Sequence, residues 1–153
     1  MQELVGKTIQ SLFVNEDQSL LKFVTDQGDV IYETEGDCCS ETWFADIIFG
    51  YQWFNKPITS VTELEVPEWV NKLASNDKRS RQEYDEVYGY QIVADVPNSS
   101  RYGSNNASCD VIFRNSSNGY YCGSCGLMNQ DSTWGKEKLA KADWTQITED
   151  WQA

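Results

Sequence analysis

SETWFADIIFG, residues 40–50, is the stretch on which the fold class turns. Trp43, Phe44, Ile47 and Ile48 recur at steps of three and four, Ser40 or Asp37 is placed to cap, and Gly50 stands where a helix would end. The spacing predicts a short helix whose apolar face covers a sheet. The sheet comes from upstream: KTIQSLFV and SLLKFVT are β-branched, apolar runs separated by the polar NEDQ, and TDQGD precedes VIYETE. These read as three antiparallel strands joined by tight turns, with Gly28 supplying the positive φ of the second.

Downstream, PITSVTELEV alternates as a strand, and YDEVYGYQIVADV returns to strand composition. Residues 67–83 between them carry Lys72, Lys78, Arg79 and Arg81 without an apolar stripe, and read as a flexible basic insertion. SCDVIFR and YYCGSCGLM flank NSSNG, whose Asn118-Gly119 pair suits a tight turn, so a closing hairpin is expected. In the tail, Trp144, Ile147 and Trp151 stand at helical spacing behind Asp143, predicting a tryptophan-bearing helix over about 136–152. The expected fold is a single α+β domain over residues 1–153, a meander-like antiparallel sheet with one or two short helices packed on it.

The 153 residues are 40% hydrophobic and 13% aromatic, enough for a sizeable core. The net charge of −12 is uneven: residues 1–70 hold thirteen acids against three lysines, a balance of −10. Such a charge repels nucleic acid and anionic membranes, so the expected partner is a basic protein. No segment approaches the roughly 20 apolar residues of a membrane span, and MQELVGKTIQ shows no secretory pattern, so a cytoplasmic protein with reduced thiols is expected.

There is no histidine, which removes the commonest general base, the Ser/His and Cys/His nucleophile pairs and the imidazole metal ligands. No phosphate-cradling glycine loop and no nucleophile elbow is present. A non-enzymatic protein without cofactor or metal is therefore expected. Cys38, Cys39, Cys122 and Cys125 could together supply thiolates to zinc or a redox pair. Against this, neighbouring side chains of an extended segment face opposite ways, and no helix follows Cys122 to lower its thiol pKa. Ordinary packing is the simpler reading of these cysteines.

Two binding surfaces suggest themselves. Glu33, Glu35 and Asp37 alternate onto one side of a strand and its extension; with Glu41 and Asp46 they form a candidate acidic face. Arg101, Arg114, Asn118, Tyr120 and Tyr121, around the glycine turn, could instead stack on and neutralise a small nucleotide.

The VGKTI strand, the turn glycine, the strand running into GDCC, the aromatic stretch ending in glycine, KPI and the late VIFRNSSNGYY stand in an order that resembles a family of small phage-encoded domains of unknown function. That family shares a DCC motif and a closing SNGYY. The resemblance spans most of residues 4–125 and implies a phage or prophage origin and an antiparallel α+β fold; the family has no assigned activity to carry over. It marks Asp37, Cys38, Cys39, Asn118, Gly119, Tyr120 and Tyr121 as pattern positions without roles. Cys122, Cys125, the basic connection and the tryptophan tail depart from it. Together these readings predict a protein that antagonises a host defence by occupying the basic surface of a nuclease or other nucleic-acid-binding complex. A nucleotide sponge and a thiolate zinc or redox protein are the alternatives, and a second copy of the chain is a further candidate partner.

Overall fold

The computed structural model describes residues 1–36, 39–50, 52–66, 84–95, 107–118 and 123–153. Asp37, Cys38, the basic connection at 67–83, Arg101, Gly119, Tyr120, Tyr121 and Cys122 lie outside these residues. The first three strands form as the sequence predicts: β1 (Ile9–Asn15), β2 (Leu20–Thr25) and β3 (Gly28–Gly36) make an antiparallel meander. Side chains build its turns. Asp17 Oδ1 accepts from the Ser19 backbone and hydroxyl, and Asn15 Oδ1 from the Leu20 N–H. Thr25 Oγ1 accepts from Gln27 N, and Gly28 takes φ 105, a conformation open to glycine.

Residues 41–49 depart from expectation: they form a strand, β4 (Glu41–Phe49), instead of a helix. The physical reason is a β-bulge between Phe44 and Asp46, which resets the alternation so that Phe44, opposite Phe113, and Ile47, opposite Val111, both face the core. A three-residue apolar step therefore mimics helical period. Burial of Trp43 on the other face completes the imitation. With no helix here, Ser40 is not a helix cap; the chain reaches β4 through Cys39, which adopts a left-handed φ of 67.

β4 begins a second sheet with β5 (Ile58–Glu63), β6 (Tyr84–Ala94) and β7 (Ala107–Ser117). The predicted hairpin does not form, because both edges of β7 are taken, by β4 and by β6. The next strand, β8 (Gly123–Leu127), crosses instead to the free edge of β3. The tail differs as well. The helix α1 runs Thr133–Lys141, earlier than predicted, and Ser132 caps it by accepting from Gly135 N at 2.9 Å. Trp144 and Ile147 lie in β9 (Trp144–Ile147), beside β1, and Trp151 in β10 (Trp151–Gln152), beside β4.

Among the described residues the architecture is thus two five-stranded antiparallel sheets, β8-β3-β2-β1-β9 and β10-β4-β7-β6-β5, and more than a meander. One core joins them: Leu12, Phe23 and Tyr32 from the first meet Phe44, Val111 and Phe113 from the second. Each such side chain contributes about 1.5–3 kcal/mol on full burial. Trp53 plugs one end, its indole donating to Ile92 O at 3.0 Å. On the outer face of the first sheet, Leu20, Ile31 and Met128 form a smaller cluster with Leu139, Ala142 and Trp144, which seats α1. Among the described residues no helix is long and apolar enough to cross a membrane.

Candidate docking groove and sheet edge

Where β8 ends against the start of β3, the surface opens into a groove of about 630 Å³ between a 3-10 turn at Gln2–Leu4 and the loop that leads to α1. Val30 and Met128 form its buried floor, and Leu127 stands 52% exposed in it. Three exposed carboxylates, Glu3, Asp29 and Asp131, surround this apolar patch, with Lys7 the one cation among the described lining residues. Lys7 Nζ donates to the Glu3 carbonyl and so is held at the turn.

Hydrogen bonds fix the far wall. Gln130 Nε2 donates to Asp29 O at 3.0 Å, the Asp131 N–H donates to Asn129 Oδ1 at 3.1 Å, and the Ser132 hydroxyl donates to Asn129 O at 2.9 Å. Gly135 is required there, because a Cβ would strike the Asn129 carbonyl. The loop is therefore a built wall that places Asp131 in the same groove as Glu3. A rigid apolar patch ringed by carboxylates suits an apolar and cationic ligand, since each half of such a ligand finds its complement.

The sequence-predicted acidic face is not a single surface. Glu33 and Glu35 share the outer side of β3, but Glu33 is half-buried and lies 3.8 Å from Lys138 of α1. Burial pushes its carboxyl above the usual carboxylate range, Lys138 opposes this, and Glu35 adds to it. Glu35 is exposed, Glu41 half-buried on β4, and Asp46 only 5% exposed opposite Ile112. Asp37 lies outside the described residues. The alternation rule holds along β3, but β4 belongs to the other sheet, so its acids cannot extend the same face.

The nucleotide constellation is not assembled either. Arg114 is 3% exposed and its guanidinium lies 3.7 Å from Asp85, so its charge serves an internal pair. Asn118 is exposed, while Arg101, Tyr120 and Tyr121 lie outside the described residues. Of the thiols, Cys39 is exposed and Cys109 buried; burial pushes Cys125 up to about 12, which disfavours the thiolate that zinc binding or exchange needs. Among the described residues no three Cys, Asp or Glu side chains gather to hold a metal. The groove residues Glu3, Asp29, Leu127 and Asp131 escaped the sequence reading because they come from separate stretches, each an ordinary surface position alone.

Comparison with curated proteins and with solved structures returns no match. A family described as a domain of unknown function, DUF7448, matches residues 2–127, from the 3-10 turn to the last residue of β8. The chain belongs to the DUF7448 family.

Proposed function

We propose that this protein is a non-enzymatic binding module that captures a basic protein partner. The observation that carries the reading is the groove: an exposed leucine ringed by Glu3, Asp29 and Asp131 on a chain of net charge −12. Complementary charge would steer the encounter, and desolvation of Leu127 would hold the complex. The resemblance of the DCC and SNGYY stretches to small phage-encoded domains favours host defence proteins that handle nucleic acid, whose cationic grooves are the natural complement. Blocking such a groove is antagonism by occupancy and needs no chemistry.

The test compares the native protein with a Glu3→Lys, Asp29→Lys, Asp131→Lys variant in capture from bacterial lysate at low salt, followed by reconstitution with the purified partner. Expected is a nucleic-acid-binding protein recovered by the native chain, lost in the variant and in high salt, and inhibited in nucleic acid binding. Equal recovery by both forms, or a complex indifferent to salt, overturns the proposal.

A further inference from the structure

The edge of β8 bordering this groove lacks the usual protection of an exposed strand: GSCGL carries no charge, no proline and no bulge. The ladder shows which backbone groups it leaves open. Met128 N donates to Ile31 O at 2.8 Å, so Ile31 and Met128 form a hydrogen-bonded pair. In an antiparallel ladder such pairs alternate, making Glu33–Gly126 and Glu35–Ser124 the next ones. Gly123, Cys125 and Leu127 then direct their N–H and C=O groups away from β3. Among the described residues no strand pairs with that side.

We infer that β8 accepts an extended, lysine- or arginine-bearing peptide segment of the partner as an added antiparallel or parallel strand. This rests on the binding reading above and specifies how the partner is held. Backbone hydrogen bonds to Cys125 and Leu127 supply affinity, and side-chain alternation supplies selectivity. On the outer face, the positions between the new strand and the β3 carboxylates are Gly126, opposite Glu33, and Ser124, opposite Glu35. Glycine carries no side chain and serine only a short one. Strands lie about 4.8 Å apart, so a cationic side chain on the added strand needs to span about 10 Å to reach Glu33 or Glu35. With no side chain at Gly126 the path is clear. The net charge of −12 selects this occupant over a second copy of the chain, whose own acids would be brought together.

The test uses a synthetic eight-residue peptide of alternating lysine and valine, and the same peptide with proline at its two central valines, titrated into the full chain with amide NMR and exchange. Expected are protection of the Cys125 and Leu127 amides by the alternating peptide alone and at least tenfold weaker binding by Leu127→Pro. Gly126→Lys should weaken binding similarly; a Cβ there meets nothing within 4 Å, so this variant folds even if the proline does not. If both peptides bind equally and the β8 amides stay unprotected, strand addition is overturned while the electrostatic groove stands. If neither binds at low salt, both readings fall. Concentration-dependent protection of the same amides without peptide overturns the inference in favour of a second copy.

Discussion

The Thr42 hydroxyl donates to the Asn115 side-chain oxygen at 2.8 Å, inside the protein, while the Thr42 carbonyl accepts from Thr34 Oγ1 at 3.0 Å. This chain of bonds runs from β3 through β4 to β7, and so ties the first sheet to the second at the end where β8 crosses. Thr42→Val keeps shape but removes the donor. It should cost about 1–3 kcal/mol, the penalty for breaking a buried hydrogen bond from one side. Urea denaturation reads this directly, and a change below about 0.5 kcal/mol would mean the bond is immaterial.

The two glycines of β8 should behave oppositely under the same substitution. A Cβ on Gly123 would sit 2.8 Å from Thr42 Cγ2 and 2.9 Å from Asn115 Cβ, whereas one on Gly126 meets nothing within 4 Å. Gly123→Ala should destabilise by about 1–3 kcal/mol through overpacking. Gly126→Ala should be neutral or stabilise by up to about 1 kcal/mol by restricting the unfolded chain. Equal denaturation midpoints for the two variants would contradict the crossing of β8 against the second sheet.

Glu33 gives the fold a pH dependence of defined sign. Burial raises its carboxyl pKa in the folded state, so the protonated form is favoured by folding. That contribution is fully present below the unfolded value of about 4.3 and is lost as pH rises through the raised folded value. Glu33→Gln should therefore gain stability over the native chain at pH 7, and the gain should vanish near pH 4. Urea midpoints at both pH values decide it; a variant less stable at pH 7 would show that the Lys138 pair outweighs burial.

Alkylation should distinguish the thiols. Cys39 is exposed, whereas the Cys125 thiol is pushed up to about 12 by burial and full burial also raises Cys109. Thiolate content falls tenfold per pKa unit, so at pH 8 iodoacetamide should modify Cys39 at least about a hundredfold faster than Cys125. Peptide mass mapping over time supplies the measurement. Fast labelling of Cys125 would revive a reactive-thiol role.

Local signals served where a segment's structure is decided by its own neighbours. The turn at Gly28 was legible because few residues tolerate φ 105, and the β1–β2–β3 meander because adjacent alternating strands pair through short turns. Periodicity misled at β4, where a bulge placed Phe44 and Ile47 on one face, and again at Trp144, Ile147 and Trp151, which share a spacing but lie in strands of two sheets. Of the proposed site, Glu33 and Glu35 on the outer side of β3 were readable in advance; Glu3, Asp29, Leu127 and Asp131 meet through long-range pairing.

Sequence alone determined the charge, the absence of histidine chemistry and the antiparallel strand character of most of the chain, because these depend on composition and nearest neighbours. Tertiary structure decided that there are two sheets, that β8 joins β3 instead of β7, and that an acidic groove opens beside it. The reason is that pairing preferences of neighbouring strands yield when both edges of β7 are already occupied, and no local pattern records which edges are free.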